Sequence, residues 1–94
     1  MRTDQPAEQR TIEVIVVASD GCHFCDDAEQ VLEGMSAEFP IAVRAVDMLS
    51  AEGAELVRIH RPPMPPLVLV DGEFFSFGRL PRKKLRRLLE GPRS

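Results

Sequence analysis

Cysteine occurs twice in this chain, and both copies fall in one tetrapeptide, Cys22-His23-Phe24-Cys25. The pair stands where an apolar, β-branched run from Ile12 to Ala18 gives way to a helical pattern. That junction constrains the fold more than any other stretch of the sequence. Two thiols at this spacing can bond within one helical turn, and the leading one opens the helix. There, unsatisfied N–H groups and the positive end of the helix dipole stabilise a thiolate. The thiolate is the reactive form, so these residues read as a redox dithiol.

Ninety-four residues allow one compact domain. The formal charge of −3 is too mild to point to nucleic acid or a membrane surface, and neither is expected as a partner. No apolar run approaches the ~20 residues of a membrane span. Met1 to Arg10 is polar, with no apolar stretch behind Arg2, and is expected to be a flexible tail rather than a secretion signal. The folded domain is expected over 11–91, with 92–94 a short C-terminal tail. A cytoplasmic, reducing location is expected, where paired cysteines are more often catalytic or metal-binding than structural.

From Cys22 onward the apolar positions Phe24, Ala28, Val31, Leu32 and Met35 recur with helical spacing. Cys25 shares the flank of that stripe, whereas Cys22 lies a turn earlier at the exposed start, so the thiols are not equivalent. Ser19-Asp20-Gly21 breaks the strand and offers capping side chains. Pro40 ends the helix, and Ile41 to Asp47 reads as a second strand. Ser50 is placed to cap a short helix through His60, which Gly53 weakens. Four prolines follow among the five residues 62–66, and no helix survives them. Leu67 to Val70 is a short buried strand, and Asp71-Gly72 a hairpin turn into Glu73 to Phe77. One face of the Phe74, Phe75 and Phe77 strand is expected in the core. Pro81 suits a first helical position, and Leu85, Leu88 and Leu89 form the buried stripe of a last helix.

The predicted fold class is α/β, in the order β-α-β-α-β-β-α. A strand-helix-strand start implies a right-handed parallel crossover. The hairpin adds antiparallel strands, giving a four-stranded mixed sheet flanked by helices.

A dithiol opening the first helix, a proline-led buried strand with Asp71-Gly72 behind it, and a final amphipathic helix together resemble the thioredoxin-fold superfamily. Within it the chain is most similar to small glutaredoxin-like proteins, over roughly Thr11 to Glu90. The resemblance implies a thiol–disulfide oxidoreductase serving electron transport and cell redox homeostasis. Cys22 would be the nucleophile and Cys25 the resolving thiol, cycling through a Cys22–Cys25 disulfide with no further cofactor required. It implies protein or low-molecular-weight disulfide substrates. A thiol reductant, glutathione or a disulfide reductase, would supply the electrons. It also implies a cis-proline opposite the dithiol. Spacing back from Gly72 selects Pro66, while a one-residue bulge would select Pro65 and leave Met64 to pair with substrate. If Pro66 is cis, Pro65 precedes it and has no N–H to offer.

Several positions depart from these families. His23-Phe24 replaces the Gly-Pro of thioredoxins and the Pro-Tyr of glutaredoxins. Ser19 stands where glutaredoxins carry Lys, and Gly78-Arg79 where they have Gly-Gly. Gly21 and Val16 replace the Trp and buried Asp of thioredoxins. His23, when protonated, would favour the Cys22 thiolate, while Asp20, Asp26, Asp27 and Glu29 oppose it. Phe24 reads as a packing residue, His60 as ordinary surface, and the basic last helix as a solvated face. Two other classes of function stay open: a metal or glutathione-bridged iron–sulfur cluster protein, and a non-catalytic adaptor of the same fold.

Overall fold

The computed structural model describes residues 11–91. Both expected tails, 1–10 and 92–94, lie outside the described residues. Seven elements follow in order: β1 (Ile12–Ala18), α1 (His23–Met35), β2 (Ile41–Asp47), α2 (Ala51–His60), β3 (Leu67–Val70), β4 (Glu73–Phe77) and α3 (Arg82–Glu90). This is the order and class read from the sequence. The strands form one mixed sheet in the order β2-β1-β3-β4. β1 runs parallel to β2 and antiparallel to β3, and β3 and β4 form the hairpin.

The unbroken apolar run in β1 is explained by its inner place in the sheet, where both faces are covered. Val14 and Val16 point to one side and pack with Ala28, Leu32 and Met35 of α1 and Leu85 and Leu89 of α3. Ile15 and Val17 point to the other and pack with Val46, Leu67 and Leu69, and with Leu56 and Val57 of α2. Leu32 and Leu85 are wholly buried, each contributing about 1.5–3 kcal/mol by leaving water. α1 and α3 thus cover one face of the sheet and α2 the other.

The hairpin departs from simple alternation. Leu69 pairs with Phe74 but Val68 pairs with Ser76, so Phe75 is the extra residue of a β-bulge. The bulge turns Phe75 and Ser76 together toward the α1–α3 side, where both are buried. Phe74 and Phe77 stay on the α2 side, 48% and 43% exposed, so one of the three rings enters the core. Leu88 also differs from the expected buried stripe, at 46% exposed. It lines a groove with Phe74 and Phe75 instead. Pro81 caps α3 from an extended conformation one residue before the helix, rather than occupying its first position.

Two ion pairs tie α3 across to α1. Arg82 bonds Asp27 at 2.9 Å, and Arg86 bonds both Glu38 oxygens, just past the end of α1, at 2.9 and 3.0 Å. α2 is capped by Ser50, whose hydroxyl accepts the Gly53 N–H at 3.0 Å.

Candidate active site

One end of the sheet collects the residues singled out in the sequence. β1 leaves the sheet at Ala18, and a turn through Gly21, at φ +70°, delivers the chain to Cys22. The parallel register sets Asp47 of β2 beside Ala18. The antiparallel register sets Leu67 beside Val17, which brings the start of β3 and its preceding prolines to the same end. β4 runs back toward that end and finishes in Gly78.

Cys22 is itself the N-cap of α1. Its extended backbone (φ −98°, ψ 109°) starts the helix, and its Sγ accepts the Cys25 N–H at 3.1 Å. The sequence assigned that capping to the turn residues Ser19 and Asp20, but the helix begins too late for them. A sulfur in this position faces the positive end of the helix dipole, which favours its thiolate. Cys22 and Cys25 are joined as a disulfide with their Cα atoms 5.2 Å apart. Cys25 is 2% exposed and belongs to the same buried stripe as Ala28 and Leu32, while Cys22 is partly exposed. The two cysteines therefore differ in exposure, as the helical spacing required.

His23 is exposed, and its side chain makes no hydrogen bond or ion pair among the described residues. Phe24 is 39% exposed and stands outside both core clusters, so it does not do the packing expected of it. The Pro65–Pro66 peptide bond is cis. Pro66 is buried, and its carbonyl accepts the Gly78 N–H at 2.9 Å. Met64 is 41% exposed, and its sulfur lies 3.3 Å from where a Cβ on Gly78 would sit. The proline loop and the Gly78 turn are thus in contact. His60 is elsewhere, its ring 6.2 Å from that of Phe74 near the start of β4.

Charge around the dithiol is predominantly acidic. Ser19, Asp20, Cys25, Asp26, Glu29 and Asp47 line a cleft of about 280 Å³ on the β1–β2 side. Asp20, Asp26 and Glu29 have no ion-pair partner among the described residues. Asp47 accepts the Leu49 N–H through Oδ1 at 2.9 Å. Asp27 gives one oxygen to Arg82, while its Oδ2 is buried without a partner. Sequence reasoning found the first three carboxylates by proximity but missed Asp47. The parallel crossover, which sets strand ends side by side, was the signal that could have included it.

Among the described residues, no group of three or more His, Cys, Asp or Glu side chains is arranged to hold a metal ion. No described helix is long and apolar enough to cross a membrane.

A mixed four-stranded sheet with three helices and a C-x-x-C disulfide opening the first of them defines a dithiol protein of the thioredoxin fold. The sequence matches the glutaredoxin family over residues 14–75, and the chain belongs to that family. In fold it is similar to a mutant thioredoxin from Halobacterium salinarum NRC-1, with a TM-score of 0.62. That match has 22% sequence identity and covers 89% of this chain and 76% of the other. No curated protein matches the chain at significant similarity. Family and disulfide together assign the site to thiol–disulfide chemistry in general.

Proposed function

We propose that the protein is a thiol–disulfide oxidoreductase in which Cys22 attacks and Cys25 resolves. The observation that carries this reading is the bonded Cys22–Cys25 pair, with Cys22 partly exposed and Cys25 buried. In the reducing direction the Cys22 thiolate attacks one sulfur of a substrate disulfide. The substrate S–S bond breaks, one substrate sulfur leaves as a thiolate, and the other remains bonded to Cys22. The Cys25 thiolate then attacks Cys22 Sγ, releases the second substrate thiolate and closes the Cys22–Cys25 bond. Two electrons pass to the substrate, and the two protons from the cysteines end on the released thiols.

Substrate would lie against the loop of Met64, Pro65 and Pro66. A chain lying along it can accept no N–H bond from Pro65, so carbonyl and side-chain contacts must hold it. His23 stands beside the nucleophile as a charge that can favour the thiolate when protonated. The electrons come from a thiol reductant, either glutathione or a disulfide reductase, in a reducing compartment such as the cytoplasm. The dithiol itself carries them, and the exchange needs no other redox group.

A redox titration with trapping of free thiols tests the reading. A reversible two-electron transition roughly between −270 and −120 mV is expected. Cys22→Ser should abolish disulfide reduction, whereas Cys25→Ser should stop at a mixed disulfide visible by mass. No disulfide formation, or one more stable than about −300 mV, would overturn it.

A further inference from the structure

We propose that Asp20, Asp26 and Glu29 make the dithiol site selective for disulfides carrying positive charge, such as those flanked by lysine or arginine. The inference rests on the oxidoreductase reading above and names its substrate class. The position of the ligand is set by chemistry, because a substrate sulfur must come within bonding distance of Cys22 Sγ. Whatever carries that sulfur meets the wall of the site. On the β1–β2 side the wall is the cleft shared by Cys25, Asp20, Asp26, Glu29 and Asp47.

No cation among the described residues offsets the first three of these carboxylates. Arg82, the basic residue that reaches α1 near the dithiol, is bonded to Asp27. Arg44 on β2 is held by Glu52 at 2.7 Å and by Glu13 at 4.0 Å. Lys83 lines a different groove, with Gln30 and Val31 of α1, and Arg79 follows Gly78 beside the proline loop; no lysine or arginine lines the acidic cleft. An approaching disulfide therefore meets one sign of charge on the β1–β2 side, close enough that salt screens it only in part. A cation gains from that field on approach and in the mixed disulfide, and an anion loses. By the same field an anionic partner, glutathione included, approaches this side less readily than a neutral or cationic one.

Three small disulfides separate the effect from the chemistry: cystamine (dicationic), hydroxyethyl disulfide (neutral) and dithiodiglycolate (dianionic). Each is mixed with pre-reduced protein, and one turnover is followed as loss of protein thiols. Rates are divided by those of free dithiothreitol to remove intrinsic reactivity. At low ionic strength the normalised cystamine rate should exceed that of dithiodiglycolate by about tenfold, and the ratio should fall toward one as salt is raised. The variant Asp20→Asn/Asp26→Asn/Glu29→Gln should bring the ratio to within about threefold of unity. Glu29→Gln alone, at an exposed helix position, should move it part of the way and guards against a triple variant that fails to fold. Thiolate fraction is common to all three probes and cancels in the ratio. A wild-type ratio near one, or one that neither salt nor substitution changes, would overturn the selectivity. Failure to reduce even the neutral disulfide would instead overturn the oxidoreductase reading on which it stands.

Discussion

A Cβ at Gly53 would clash with the Asp47 carbonyl oxygen and lie 2.8 Å from the Met48 Cα. The first turn of α2 therefore lies directly on the end of β2, and only glycine permits that approach. Helix propensity alone favours alanine there by about 1 kcal/mol. The clash is with backbone, which cannot swing away, so Gly53→Ala should instead lower stability by about 1–3 kcal/mol in urea unfolding. Ser76 offers the opposite case. Its hydroxyl is buried on the α3 side of β4 with no hydrogen-bond partner. Removing an unpaired buried hydroxyl relieves a desolvation cost, and Ser76→Ala should raise stability by up to about 1 kcal/mol in the same assay. Neither effect could be read from residue type. Gly53 looked like a weak point in a helix.

Among the elements, α3 shows how far periodicity reaches. Leu85, Leu88 and Leu89 all sit on one apolar stripe, and nothing in their spacing ranks them. In the fold Leu85 is fully buried and Leu89 is 8% exposed, but Leu88 faces the groove beside β4. Leu85→Ala should cost about 2–5 kcal/mol, the range for a cavity in a closed core. Leu88→Ala should cost less than about 1 kcal/mol, because solvent already reaches that side chain. Chemical denaturation of the two variants side by side checks the ranking. A similar limit applied to β4. Three phenylalanines were legible as a strand, but the bulge opposite Val68 and Leu69 decided which ring went inward. Bulges are set by how two strands meet, so one strand's pattern does not reveal them.

Across the whole molecule, exposed ion pairs join separate elements, α3 to the end of α1 and β2 to α2. The Arg86 guanidinium holds the Glu38 carboxyl below its ordinary 4.5, first by hydrogen bonding and then by its charge. Arg44 does the same to Glu52, again chiefly through the hydrogen bond. A carboxyl whose folded value is depressed adds stability above its unfolded value and loses it as pH falls through the folded one. These pairs therefore contribute at neutral pH, and their contribution fades below about pH 4.5. Being exposed, they contribute weakly and are screened by salt. Urea unfolding at pH 7 and at pH 3 should show the wild type losing stability on acidification. Glu38→Gln should begin slightly less stable at pH 7 and lose less, with the difference shrinking in high salt.

The sequence by itself determined the order of elements, the inner position of β1 and the inequality of the two cysteines. Those follow from period, turn chemistry and spacing, which are local. Tertiary structure alone decided that Phe24 and Leu88 remain outside the core and that Asp47 joins the acidic wall beside Cys25. Each of these depends on where a strand end or helix face meets a segment far away in the chain. Such meetings are settled by packing, and packing is a property of the assembled sheet and helices.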